Sequence, residues 1–279
     1  MAQLFETVFK PQSIYEMFFF NVKSVLTHPS LFELKKENPV LFQRWEFLSK
    51  SKFNFEVVEP ITIKNFVIDP DDKDNVYQLT QQEIYEVNAP NYIEFGKIVA
   101  ITYATLYIKD GTLKRYLKTI VNEDEFITLL TFMDELWQLS SNGVKSTPMH
   151  FPILCGHNII KRDIPLLIRK FIFYRDKFEE NKQIPFILKN SLNSKPWESN
   201  IVDTVNVWKF NGYDNIPLML ISDYLGLKKT VDLLPLHEVS RKYWELYEND
   251  VEKALQFVSL QSATQTNLTI QLMNELRQL

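Results

Sequence analysis

The stretch Phe18-Phe-Phe-Asn-Val-Lys-Ser-Val25 reads as a buried strand, and the two polar residues inside it, Asn21 and Lys23, are the most informative in the chain. Downstream, Ser30 to Lys52 is helical material in which Leu31, Leu34, Leu41, Trp45 and Leu48 recur near helical spacing. Phe53 to Asp74 reads as an acidic, proline-punctuated insertion whose Ile61 to Ile68 run has the pattern of an extra strand. Lys97 to Tyr103, Thr105 to Ile108 and Leu113 to Ile120 predict strands, with one Asp110-Gly111 turn before the last. Asp124 to Leu139 predicts an amphipathic helix, entered through acidic residues that suit its positive end. Then come Pro152 to Cys155 as a short strand, Asp163 to Arg175 as a helix and Asn200 to Trp208 as a strand. Ile216 to Leu225 and His237 to the C-terminus complete the pattern as helices. Strands first, then alternating strand and helix, predict an α/β sandwich with a mixed sheet. With no internal repeat, residues 1–279 read as one domain carrying an insertion at 53–74.

Composition narrows the function classes. The 279 residues are 45% hydrophobic, enough for one large core. Lys+Arg 31 against Asp+Glu 35 gives a formal net charge of −4, so no global positive field attracts a polyanion. Cys155 is the only cysteine, which excludes an internal disulfide framework and multi-cysteine zinc sites and fits a reducing, cytoplasmic compartment. Only 6 glycines are present, and no Walker or dinucleotide fingerprint, so nucleotide-hydrolysing readings lose weight. The Phe18 to Phe20 run is too short for a signal-peptide core, and no stretch reaches the roughly 20 apolar residues of a spanning helix. A soluble protein with no cofactor is the expectation.

Three segments carry a resemblance: Glu94-Phe-Gly-Lys-Ile-Val-Ala-Ile101, Leu154-Cys-Gly-His-Asn-Ile-Ile-Lys-Arg-Asp-Ile-Pro165, and Pro196-Trp-Glu through Asp203-Thr-Val-Asn-Val-Trp-Lys-Phe210. Together they resemble the predicted 3′-5′ exonucleases related to the proofreading domain of B-family DNA polymerases, within the DnaQ-like, DEDD group. The resemblance runs from about Tyr15 to the C-terminus and implies a ribonuclease-H-like three-layer sandwich, a mixed central sheet flanked by helices. It also implies four carboxylates holding two metal ions about 4 Å apart, since only clustered anionic oxygens hold such a pair. Carried over residue by residue, the four positions are Asn21, Lys23, Asp163 and Gln261, with Phe257 where the family has a tyrosine. One carboxylate survives, and the quartet is formally neutral. An ammonium about 4 Å from Asp163 would gain on the order of a few kcal/mol before desolvation. A Lys23–Asp163 pair is therefore expected in place of the lost cations.

Other residues compete for attention. Asp69 and Asp71 have the spacing of a first motif but read as a solvated turn around Pro70. Asp250 imitates a third motif, out of register with Gln261. His157, Asn158, Lys161, Arg162 and Lys23 are the candidate contacts for a nucleic-acid backbone. Against this, His157 has the setting of an ordinary loop histidine, and Lys161-Arg162 with Arg169-Lys170 that of a solvated helix face. Cys155 reads as core, Asp203 as a strand-end acid with a structural role, and Trp137, Trp197, Trp208 and Trp244 as mostly core.

The expected function is a catalytically silent, exonuclease-like protein serving as a structural or protein-interaction subunit, with protein partners or further copies of itself and no membrane. Because the family occurs on bacterial and phage genomes, recruitment into an assembly such as a virion, put together in the host cytoplasm, is the analogy. The alternatives are non-cleaving recognition of single-stranded nucleic acid, and an active exonuclease through Asp69, Asp163 and Asp250.

Overall fold

Strand β1 (Met17–Leu26) is buried at every one of its ten residues. A strand hidden on both faces needs neighbours on its edges and helices over its sides. A computed structural model supplies them, describing residues 13–53, 81–142, 153–178, 184–185, 187–189, 200–209, 212 and 215–277. The other strands are β2 (Gly96–Lys109), β3 (Thr112–Val121), β4 (Ile153–Gly156) and β5 (Ile201–Asp203), ordered β3-β2-β1-β4-β5. The β2–β3 pair is antiparallel, whereas β1–β4 and β4–β5 are parallel, so the sheet is mixed as the sequence predicts. Lys97 to Tyr103 and Thr105 to Ile108 form one continuous strand through Ala104. The Asp-Gly turn is present: Asp110 and Gly111 sit at φ 53° and 68°, the left-handed pair that a two-residue hairpin needs.

The helices are α1 (Leu31–Glu37), α2 (Pro39–Phe53), α3 (Gln81–Asn88), α4 (Glu125–Asn142), α5 (Ile164–Phe173), α6 (Thr204–Trp208), α7 (Leu218–Tyr224), α8 (Leu236–Tyr247) and α9 (Val251–Leu276). The helical run after Ser30 breaks at Asn38, because Pro39 pushes its predecessor out of helical geometry. The expected strand from Asn200 to Trp208 ends early. Asp203 accepts the Val205 N–H at 3.1 Å and so starts α6, a cap that period-two hydrophobicity does not reveal. Ile61 to Ile68, Asp69, Asp71, nearly all of the 53–74 insertion, and Trp197 lie outside the described residues.

The described residues divide into two compact units, one within 1–23, 98–234 and 255–279, the other within 24–97 and 235–254. In the first, β1 alternates. Phe18 and Phe20 face Phe132 of α4, with ring centroids 6.3 and 6.0 Å away, while Met17 and Phe19 join Leu268, Leu272 and Met273 of α9 in one apolar cluster. A helix therefore covers each face of the strand. In the second unit, Trp45, Tyr85 and Phe95 meet edge to face at 5.3 to 6.2 Å, surrounded by Leu26, Leu31, Leu34 and Leu48. Trp45 is fully buried, whereas Trp137, Trp208 and Trp244 are only half-buried.

Gly156 ends β4 close against the backbone of β1. A methyl group there would sit 2.7 Å from the Phe20 carbonyl oxygen and collide with the Ile159 side chain. Gly156→Ala should therefore cost about 1–3 kcal/mol of stability, read from urea unfolding monitored by tryptophan fluorescence.

Candidate functional site

Register explains the site. Strand β4 has four residues and pairs with β1 only over Met17 to Phe19. Beyond that point the buried N–H of Val22 has no strand to meet, and Asp163 Oδ2 accepts it at 3.1 Å. Asp163 arrives there through a π-helical turn, Ile159–Asp163, that leads directly into α5. The carboxyl is 2% exposed. Burial raises its pKa from 3.8 to about 6, against the opposing pull of Arg162, the Val22 N–H and Lys23.

The turn is anchored by a second acid. Asp203 Oδ1 accepts the N–H groups of Asn158 and Val205, at 2.8 and 3.1 Å, and Oδ2 accepts that of Ile160 at 3.0 Å. Asn158 adopts φ 64°, a left-handed conformation that asparagine tolerates. Beside it, His157 Nδ1 lies 2.9 Å from Thr204 Oγ1, and burial lowers its pKa to about 4, so the ring is neutral at pH 7. Asp203 and His157 thus both hold the chain locally through hydrogen bonds. Cys155 is fully buried in the β4 core, and burial pushes its thiol pKa up, away from nucleophile behaviour.

Along β1, Asn21 and Lys23 share one face, being two residues apart in a strand. Both meet α9. Ser262 Oγ donates to Asn21 Oδ1 at 3.1 Å and accepts from Thr102 Oγ1 at 2.8 Å, and Thr119 Oγ1 lies 2.9 Å beyond. This hydroxyl chain links β3, β2, α9 and β1. Lys23 Nζ donates to Gln265 Oε1 at 2.6 Å. Burial lowers the Lys23 pKa from 10.5 to about 7; Arg162 adds to the effect and Asp163 opposes it.

The structure corrects two expectations. Lys23 makes no direct ion pair with Asp163: the acid is occupied by the strand edge, and the ammonium finds a side-chain amide on α9. Gln261 does not turn toward Asp163. It accepts the Leu234 N–H at 3.1 Å and donates to the Asp232 carbonyl at 2.8 Å, fastening the preceding loop. The residues of α9 that reach the strand are Ser262, the next position, and Gln265, one turn later; Phe257 is half-buried. Arg162, outside the sequence-derived four, lies near enough to Lys23 and Asp163 to shift both. The assembled set is two cations, one anion and neutral amides.

The basic residues separate as well. Lys161 and Arg169 are exposed, Arg162 is half-buried, and Lys170 Nζ reaches Glu125 at 3.0 Å. Glu125 went unnoticed in the sequence beyond its place in an acidic first turn. It is 6% exposed, accepts the Ile98 N–H at 2.5 Å and takes the Tyr174 hydroxyl at 2.9 Å. Ser262 and Gln265 were also missed; on a helix that carries many polar residues, nothing in the sequence sets these two apart. Asp250 is the N-cap of α9, accepting the Lys253 N–H at 3.1 Å. Among the described residues no three His, Cys, Asp or Glu side chains gather as a metal-holding group.

Two titrations follow. Between pH 7 and 10.5 the unfolded chain holds the Lys23 proton that the folded chain has released, so stability rises with pH across that window. Lys23→Met should abolish that rise and add about 1–4 kcal/mol at pH 7, as urea midpoints at pH 7, 8 and 9 would report. Asp163 has the opposite sign: its raised pKa favours the folded state below pH 3.8, an advantage lost as pH climbs through 6. In Asp163→Asn that loss should be missing from the melting temperature measured between pH 4 and 7.

No protein-family model matches the chain, and no curated protein matches it.

Proposed function

We propose that this chain is a catalytically silent, exonuclease-like protein of the ribonuclease-H-like type that serves as a structural or protein-interaction subunit of a larger assembly. The observation that carries the reading is the fate of Asn21 and Lys23. Both occupy the sequence positions at which the resemblance asks for metal-binding carboxylates, and both are tied to α9 by Ser262 and Gln265. The remaining acid, Asp163, spends one oxygen on the Val22 N–H. Two divalent cations need several anionic oxygens converging on them, and a buried ammonium beside an arginine repels such ions. The five-stranded mixed sheet with a helix on each face of β1 supports the finer fold assignment.

The alternatives draw less support. An active enzyme would need Asp250, which caps α9, and Asp69, outside the described residues. Of the five side chains suited to a single-strand groove, Lys161 alone is exposed; Lys23 and His157 are buried, and Asn158 and Arg162 are half-buried. No helix among the described residues is long and apolar enough to cross a membrane. The proposed setting is the cytoplasm, or a virion assembled there.

Labelled single-stranded DNA incubated with the protein and Mn²⁺ should keep its length, and calorimetric titration with Mn²⁺ should give no saturable heat. Digestion that disappears in Asp163→Ala would overturn the proposal.

A further inference from the structure

Strand β3 is one edge of the sheet. In the order β3-β2-β1-β4-β5 it stands first, and among the described residues only β2 pairs with it. Its register runs from Ala100↔Val121 to Lys109↔Thr112, and Asn122 N donates to Val99 O at 3.2 Å. In an antiparallel ladder the bonded pairs alternate, so the even-numbered residues of β3 turn their backbone groups to β2. Leu113, Arg115, Leu117 and Thr119 consequently direct their N–H and C=O groups outward. Thr112 to Tyr116 are exposed, and so are Tyr107, Ile108 and Lys109 on the neighbouring strand. Leu113 and Tyr116 are 46% and 49% exposed, Tyr107 and Ile108 45% and 59%, so the arm is open on both faces as well as along its edge. Large apolar side chains on an unpaired edge are a template for another strand.

Charge selects the occupant. Lys109, Lys114, Arg115 and Lys118 stand on this arm against Asp110, in a chain whose formal net charge is −4. Lys118 is held by Glu135 at 2.6 Å, leaving Lys114 and Arg115 at the exposed end. A second copy of β3 added antiparallel would bring these like charges together, which disfavours self-pairing. A single-stranded nucleic acid would use the tyrosines and cations but would leave the outward backbone groups without a ladder. We propose that the edge of β3 is a docking site for an extended, acidic segment of a partner protein, added as a sixth strand. It gives a surface to the interaction role proposed above and rests on that reading for its biological context. The backbone ladder supplies affinity, Lys114 and Arg115 select acidic side chains, and Leu113 with Tyr116 receives apolar ones.

The test uses the full chain and an end-blocked peptide of four Glu-Val repeats, with binding followed by fluorescence anisotropy. Arg115→Pro removes one outward N–H and should leave the β2 ladder intact, since proline is tolerated where the N–H faces solvent. Lys114→Glu with Arg115→Glu keeps every backbone group and reverses the charge, so it decides the matter if the proline variant fails to fold. The expected result is saturable binding, weakened about tenfold or more in either variant, which corresponds to about 1.4 kcal/mol. Slowed amide exchange on binding is expected at Leu113, Arg115 and Leu117. The proposal is overturned if the acidic peptide does not bind, if a Lys-Val peptide binds equally, or if both variants bind as the parent does. It also fails if oligothymidylate displaces the peptide, or if sedimentation shows a dimer that Arg115→Pro dissolves. The assay contains neither metal nor, in its first arm, nucleic acid, so a negative result leaves the silent-nuclease reading standing; DNA digestion would leave the edge strand unaffected.

Discussion

A buried backbone N–H must be bonded, and at Val22 that requirement organises the centre of the molecule. Strand β4 stops at Gly156, leaving the inner half of β1 without a neighbour on that side. The cost of leaving Val22 unsatisfied is about 1–3 kcal/mol. Asp163 meets the need, and holding Asp163 in place requires the π-helical turn, the left-handed Asn158 and the three backbone bonds to Asp203. An acid that looks catalytic in sequence is thereby a strand-edge acceptor. Its carboxyl is desolvated, which is why its proton affinity rises even though a cation lies nearby.

Lys23 shows the same balance from the other sign. Its ammonium is buried, and desolvation, with repulsion from Arg162 added to it, outweighs the attraction of Asp163. A short bond to Gln265 satisfies one donor without supplying a counter-charge. The energetic logic is that of a polar plug and not of an ion cage: amides and hydroxyls from β1, β2, β3 and α9 bond one another in a continuous chain. Such networks fix register between elements, because each member has few alternative partners once water is excluded.

Local pattern made much of the fold legible. The hairpin at Asp110-Gly111, the apolar run of β1 and the amphipathic α4 all carry their signals within a few residues, so propensity and periodicity suffice. Two readings slipped for an identifiable reason. The stretch Ile201 to Trp208 is apolar enough for a strand, yet the Asp203 carboxylate caps a helix there. Along α9 the side chains that meet Asn21 and Lys23 are Ser262 and Gln265, not Gln261, because helical periodicity tells which face is buried but not which positions lie against those two residues.

By itself the sequence determined which chemistry is scarce: Asn21 and Lys23 are not acids, and composition supplies one cysteine and few glycines whatever the fold. Tertiary structure alone decided what those residues do instead. It turned Lys23 toward Gln265, Gln261 toward the 232–234 loop and Asp163 toward a strand edge, and among the described residues it left β3 paired on one side alone. The physical reason is that identity and spacing are local, whereas hydrogen-bond partners separated by 141 or 242 positions are chosen only when elements pack and water leaves.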